Sequence, residues 1–168
     1  MKIDYHPDFA DFYTYLVERV RSFDPASNDG PGEAGPVKRV DVGFGYGYAG
    51  WISVVFDTRP DAEPDGEWNA HIEGNCLERP NWQWEEESEE SQPITIVQAD
   101  GKTSEIPEED EVIAEHIGEI LKAALLKARA DGVFEGLLKS PGCELGIEEQ
   151  DGNYGWPVYE ERGQENLA

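Results

Sequence analysis

Residues 40–57, "VDVGFGYGYAGWISVVFD", combine a glycine-rich run with a β-branched and aromatic run. Within this stretch, Gly45, Gly47 and Gly50 match G-x-G-x-x-G, the fingerprint of a dinucleotide-binding loop. Such a loop needs a strand before the glycines and, after them, a helix whose N-terminus faces the pyrophosphate. Here the glycines precede "WISVVF", a β-branched and aromatic run that predicts a strand. We therefore predict two strands or one bent strand over residues 38–57, with no nucleotide bound.

The glycines of this stretch alternate with the aromatic residues Phe44, Tyr46 and Tyr48. Alternation puts the aromatic side chains on one face of an extended strand and leaves the opposite face bare. A bare face allows another backbone or a large aromatic side chain to pack closely. We interpret the glycines as a packing feature.

Two helices are predicted, one on each side of the central strands. Pro7 and Asp8 suit the first turn of a helix, and Pro107 followed by acidic residues suits the first turn of another, which ends at Asp131-Gly132. Apolar residues recur at helical spacing in both segments. In the first they are Phe9, Phe12, Tyr13, Leu16 and Val20, and in the second Ile113, Ile117, Ile120, Leu121, Ala124, Leu125 and Ala128.

Further strands are predicted at "EWNAHIE", at "ITIVQADGK" with its turn at Asp100-Gly101, and at "CELGIEEQ". Residues 24–36, rich in proline and glycine, predict a mobile loop. The expected fold class is α+β. Residues 1–168 form a single globular domain, a mainly antiparallel, twisted sheet of about four to six strands with helices packed against it.

The net charge limits the classes of partner that the protein can bind. The chain has 37 acidic and 13 basic residues, a formal net charge of -24. This field repels nucleic acid phosphates and anionic membrane surfaces, and attracts basic proteins or cations. Cys76 and Cys143 are expected to be free thiols in a reducing compartment. The N-terminus lacks a signal-peptide core, which predicts a cytoplasmic protein.

Motifs for metals and catalysis are incomplete. Residues 61–66 match the first half of an EF-hand calcium loop, but its last ligand position is Ile72, and Glu73 comes one residue late. A polar turn is favoured there, and a weak calcium site between Asp61 and Glu73 is left open. No nucleophile, zinc or phosphate-loop motif is complete, so we predict no catalytic residue, no metal and no cofactor.

A segment that combines tryptophan with glutamate is the candidate partner-binding site. Aromatic residues are enriched as interface anchors, and dense acids suit a surface rich in lysine and arginine. The residues are Trp82, Trp84, Glu85, Glu86, Glu87, Glu89 and Glu90. The alternative is that both tryptophans belong to the core and the glutamates form a solvated loop.

The chain resembles the small immunity-type domains of bacterial polymorphic toxin systems and their uncharacterised relatives. The resemblance rests on the N-terminal helix, the aromatic-rich strands through "GWISVVFDTRPD", and "HIGEILKAALLKARADGVFEG" followed by a terminal strand. It implies a cytoplasmic α+β protein without catalysis that blocks a cognate toxin by binding it.

The expected function is therefore that of a non-enzymatic acidic binding protein, an immunity or antitoxin-like inhibitor of a basic protein partner. Two alternatives stay open. One is a phosphate-mimicking inhibitor of a DNA-binding protein. The other is a small enzyme or metal-dependent protein whose site has no recognised motif. The oligomeric state does not follow from the sequence.

Overall fold

The structure is a computed structural model and describes residues 1–24, 35–47, 49–59, 76–83 and 93–157. Its two long helices are α1 (Tyr5–Ser22) and α2 (Asp110–Ala130). The strands are β1 (Lys2–Asp4), β2 (Val37–Gly45), β3 (Trp51–Asp57), β4 (Leu77–Glu78), β5 (Ile94–Val97), β6 (Thr103–Ile106), β7 (Lys139–Glu149) and β8 (Gly155–Trp156). Short 3-10 helices cover Pro80–Trp82 and Val133–Gly136.

The strands form two sheets. The larger has five strands in the order β4-β3-β2-β7-β8, and the smaller has three in the order β1-β5-β6. The pairs β2–β7 and β1–β5 are parallel, and the other pairs are antiparallel. The α+β class and the mainly antiparallel pairing are confirmed. The expectation of one sheet is wrong, because β1 pairs with β5 and holds the β5–β6 hairpin in a separate sheet beside the start of α1.

Strands β2 and β3 form the hairpin predicted over residues 38–57. Gly45 lies opposite Trp51, and Val40 lies opposite Phe56. The core-facing side chains of the hairpin are fully or almost fully buried; they are Val40, Val42, Phe44, Ile52, Val54 and Phe56. Burial of each such side chain contributes about 1.5–3 kcal/mol relative to exposure.

Both helices pack with the hairpin around one hydrophobic core. Every apolar residue predicted for the buried face of α2 is buried, so that prediction is confirmed. On α1, Phe12, Leu16 and Val20 are buried, whereas Phe9 and Tyr13 are only partly buried.

The β5–β6 hairpin confirms the strand and turn predicted at "ITIVQADGK". Gly101 in its turn has φ +79°, a left-handed conformation that favours glycine. Strand β7 confirms the predicted terminal strand and begins earlier, at Lys139. Most of the mobile loop predicted at residues 24–36, and the strand predicted at "EWNAHIE", lie outside the described residues.

Candidate partner-binding site

Gly43 and Gly45, the two glycines of β2, make room for the side chain of a tryptophan. A Cβ added at Gly45 would lie 2.6 Å from Nε1 of Trp51, and one added at Gly43 would lie 3.5 Å from Cζ3 of the same ring. The indole of Trp51 therefore lies on the bare backbone of the neighbouring strand. This confirms the interpretation of the glycines as positions of close packing.

Gly50 ends the six residues that match G-x-G-x-x-G, residues 45–50, which we call the hexad, and it makes room for a second segment of the chain. A Cβ on Gly50 would lie 2.4 Å from the carbonyl oxygen of Arg79. The amide of Arg79 donates to the carbonyl of Gly50 at 2.7 Å, and the amide of Gly47 donates to the carbonyl of Trp82 at 3.1 Å. Strand β3 begins at Trp51, directly after the hexad, so a strand stands where a dinucleotide-binding loop would require a helix.

The same segment, residues 79–82, is joined to α1 by a buried carboxylate. Asp8 is 1% exposed and lies in the first turn of α1. Its Oδ2 accepts hydrogen bonds from the amide of Asp4 at 2.9 Å and from Nε1 of Trp82 at 3.1 Å. Its Oδ1 accepts from Nδ2 of Asn81 at 3.0 Å and from Nη2 of Arg79. We call these five residues the Asp8 centre.

Arg79 supplies the positive charge of the Asp8 centre. It is 6% exposed, and its Nη1 also donates to Oδ2 of Asp11 at 2.7 Å. Its guanidinium lies 5.5 Å from the centroid of the Trp82 ring, within cation–π range. Such a charge-assisted network fixes the position of the segment from Arg79 to Trp82.

The structure therefore separates the predicted site residues. The Trp82 side chain is fully buried and bonded to Asp8, which favours the alternative in which this tryptophan belongs to the core. Gln83, the next residue, is exposed. Trp84, Glu85, Glu86, Glu87, Glu89 and Glu90 lie outside the described residues, and partner binding by them stays a prediction.

The sequence contains a signal for the Asp8 centre, although an acid in the first turn of a helix is also explained by the helix dipole alone. Asp8, Phe12 and Leu16 follow one another at intervals of four, so Asp8 lies on the buried stripe of α1. An acid on an apolar stripe requires a buried partner. The partner, Arg79, is 71 residues away, and no local pattern identifies it.

A second acidic region lies where β6 leads into α2. We call it the acidic surface; its exposed members are Glu105, Glu108, Glu109, Asp110, Glu111 and Glu115. In the part of the chain that the structure describes, none of these carboxylates forms an ion pair. Asp110 and Glu111 stabilise the N-terminus of α2. Glu105 and Glu115 lie outside that first turn.

Two tyrosines beside α2 respond to this negative field. The hydroxyl of Tyr46 donates to the carbonyl of Asp110 at 3.0 Å, and that of Tyr154 donates to Oε1 of Glu119 at 3.0 Å. Burial, and then the nearby carboxylates, raise the pKa of both phenols well above the ordinary value.

Most basic side chains are occupied by acids of the same chain. Among the described residues, at least seven basic side chains lie within 4.0 Å of a carboxylate; they are Lys2, Arg39, Arg59, Arg79, Lys102, Lys122 and Lys127. These seven positive charges are thus balanced locally by carboxylates of the described chain.

Neither cysteine has the lowered pKa of a reactive thiol, and the described residues contain no cluster of metal ligands. Cys143 is fully buried, and burial raises the pKa of its thiol to about 11. Burial also raises the pKa of Cys76. Within residues 1–24, 35–47, 49–59, 76–83 and 93–157, no three histidine, cysteine or acidic residues are grouped to hold a metal ion. The calcium loop considered at Asp61–Glu73 lies outside these ranges.

Comparisons with known proteins do not extend this picture. No protein-family model, no curated protein and no solved structure matches the chain. Neither helix of the described residues is long and apolar enough to span a membrane.

Proposed function

We propose that the protein is a non-enzymatic, cytoplasmic binding protein that inhibits a basic protein partner, in the manner of an immunity or antitoxin protein. The observation that carries the proposal is the acidic surface, whose carboxylates have no cationic partner among the described residues in a chain of net charge -24. An uncompensated acidic patch is complementary to a surface rich in lysine and arginine.

Electrostatics favours a protein partner over the other polyions of the cell. Nucleic acids and anionic membranes carry the same sign of charge as this chain and are repelled. The exposed acids act together over about a Debye length, roughly 8 Å at physiological salt, and raise the rate of encounter with a basic protein.

The described polar groups support binding more than catalysis. Asp8 accepts four hydrogen bonds that hold the fold, so its oxygens are already engaged. The Cys143 thiol stays protonated at neutral pH because of its raised pKa, and a protonated thiol is a weak nucleophile.

The proposal is tested by affinity purification from native lysate, at low and at high salt. We expect a basic protein to co-purify at a one-to-one ratio and to be lost at high salt. Replacing Glu108, Glu109 and Glu111 by glutamine should weaken its capture. Replacing Glu18, Glu78 and Glu135, which are also exposed, removes the same charge elsewhere and should leave capture intact.

Two results would overturn the proposal. One is the absence of any stoichiometric basic partner. The other is equal weakening by both triple variants, which would show a general charge effect instead of a binding surface. Co-expression completes the test, since an inhibitor restores growth to cells that produce a toxic partner.

A further inference from the structure

Strand β6 is an outer strand of the three-stranded sheet and begins the acidic surface. Its only strand neighbour in the described chain is β5, with Ser104 opposite Ile96 and Glu105 opposite Thr95. Three of its four residues are exposed. An outer strand carries a row of backbone groups that another extended chain can pair with.

The hairpin register shows which backbone groups of β6 face outward. The amide of Gln98 donates to the carbonyl of Lys102 at 2.8 Å, which makes this the first hydrogen-bonded pair. Hydrogen-bonded and non-hydrogen-bonded pairs alternate in an antiparallel ladder. Thr103 and Glu105 are therefore the non-hydrogen-bonded positions, and their N–H and C=O groups point away from β5.

The opposite side of β5 confirms this alternation. Thr95 belongs to the same class as Glu105, and its amide points toward β1, where it donates to the carbonyl of Met1 at 3.1 Å. No described group of the chain accepts or donates a hydrogen bond at the outward backbone of Thr103 or Glu105.

The other outer strands of the two sheets are covered or very short. At β1, Nδ2 of Asn81 donates to the carbonyl of Lys2 at 3.1 Å and closes that edge. In the five-stranded sheet, β4 and β8 have two residues each. Short outer strands are a common protection against unwanted pairing. Among the described strands, β6 combines a length of four residues with an open edge.

The negative charge around the edge of β6 determines which kind of chain can bind there. Glu105 lies on the strand, and Glu108 and Glu109 follow directly after Pro107. The nearby Lys102 is paired with Asp100 and so does not offset them. A second copy of the chain would bring its own Glu105 and a net charge of -24 against the same edge, which is unfavourable. An extended segment with alternating lysine or arginine is complementary.

We propose that β6 binds an extended basic segment of the partner as an added strand. The outward amides and carbonyls of Thr103 and Glu105 supply the main-chain hydrogen bonds, and the acidic surface supplies the preference for a basic sequence. The inference rests on the proposed function, because it describes how the basic partner is bound. Pro107 limits the added strand, since it has no N–H to extend the ladder.

The first experiment uses a synthetic peptide of alternating lysine and valine with blocked ends. Amide hydrogen exchange of the full chain is followed by NMR with and without the peptide. We expect exchange at Thr103 and Glu105 to slow about tenfold or more on binding. The same peptide with N-methylated backbone at alternate residues keeps its charge but cannot form the ladder, and should give no protection.

The second experiment separates the backbone from the charge. Glu105→Pro removes an outward N–H and leaves the bonds to β5 intact, because proline is tolerated on an outer strand when its nitrogen faces solvent. Glu105→Gln removes the charge and keeps the N–H. We expect Glu105→Pro to abolish the protection at Thr103, and Glu105→Gln to weaken peptide binding only about two- to threefold.

Three results would overturn strand addition. The first is that the N-methylated peptide slows amide exchange as much as the unmodified peptide does. The second is that Glu105→Pro and Glu105→Gln lose the protection at Thr103 equally. The third is that Thr103 and Glu105 are protected in the free protein to an extent that increases with its concentration, which would show pairing of two copies. A natural basic partner that still binds Glu105→Pro with full affinity would overturn strand addition and leave the proposed function standing. Absence of a basic partner would overturn the proposed function, whatever the peptide shows at β6.

Discussion

Arg79 and Asp8 form a buried ion pair that joins α1 to the chain just before the predicted tryptophan–glutamate site. Their side chains are 7% and 0% exposed, so neither charge is stabilised by much water. The buried carboxylate of Asp8 also accepts hydrogen bonds from Asn81 and Trp82, so both of its oxygens have donors. The ion pair holds the position at which Gln83 leaves the core.

The first prediction is that Arg79→Met strongly destabilises the fold. Removing the guanidinium leaves a buried carboxylate without its counter-charge, which costs about 3–5 kcal/mol. The double variant Asp8→Asn with Arg79→Met should recover part of this loss, because the neutral amide needs no cation. Urea unfolding of the two variants measures the difference.

The exposed pair between Lys102 and Asp100 is the matched control for Arg79→Met. Lys102→Met should change the free energy of unfolding far less than Arg79→Met, because an ion pair in water contributes little to stability. If Arg79→Met cost no more than Lys102→Met, the Asp8 centre would have no structural role.

The sequence predicted the parts of the fold that local periodicity encodes. Helix α2 and the β2–β3 and β5–β6 hairpins follow from repeats of 3.6 or 2 residues within one segment. Strand β1 was missed because three residues carry no period, and its pairing with β5 joins residues 93 positions apart. Trp82 ends a 3-10 turn that begins at Pro80, and its hydrogen bond to Asp8 joins residues 74 positions apart, which no local pattern identifies.

The second prediction concerns the hexad glycine that contacts Arg79. Gly50→Ala should destabilise the protein by about 1–3 kcal/mol, since its Cβ would lie 2.4 Å from the Arg79 carbonyl oxygen and 2.8 Å from the Cβ of Trp82. Gly136→Ala is the control, because a Cβ there meets no atom within 4 Å and should change stability by less than about 0.5 kcal/mol. Thermal or urea unfolding compares the two. Equal stability of both variants would contradict the close approach at Gly50.

The third prediction concerns ionic strength. With a net charge of -24, repulsion among the acids opposes the compact state, and salt relieves it by screening. The melting temperature should rise from low to physiological salt by the same amount in sodium and potassium chloride. A rise with micromolar calcium, absent with magnesium, would instead support a site at Asp61–Glu73.

The fourth prediction concerns alkaline pH. Burial, followed by the carboxylates of Glu119 and Glu115, raises the pKa of Tyr154 in the folded protein above its ordinary value of 10.0. A raised folded pKa favours the neutral phenol, so its contribution to stability is complete below pH 10.0 and is lost as the pH rises further. Urea midpoints should fall above that pH, and less steeply in Tyr154→Phe. The same slope in wild type and variant would contradict this assignment.

The last prediction separates the two roles combined in the tryptophan–glutamate segment. Because Trp82 is fully buried and bonded to Asp8, Trp82→Ala should reduce the free energy of unfolding by about 3–5 kcal/mol, as for a core aromatic residue. Replacing Glu85, Glu86 and Glu87 by glutamine should leave the fold intact. It should slow association with a basic partner and flatten the dependence of that rate on salt.

Thermal melts and binding kinetics on these two variants and on Trp84→Ala complete the test. If Trp84 anchors the partner, its truncation should mainly speed dissociation, because interface aromatics act by excluding water from a desolvated contact. A wild-type association rate in the triple glutamine variant would remove the glutamates from the binding surface. Since Trp82 leads to Gln83 and then to Trp84, a stability loss confined to Trp82→Ala would place the boundary between core and partner surface at Gln83.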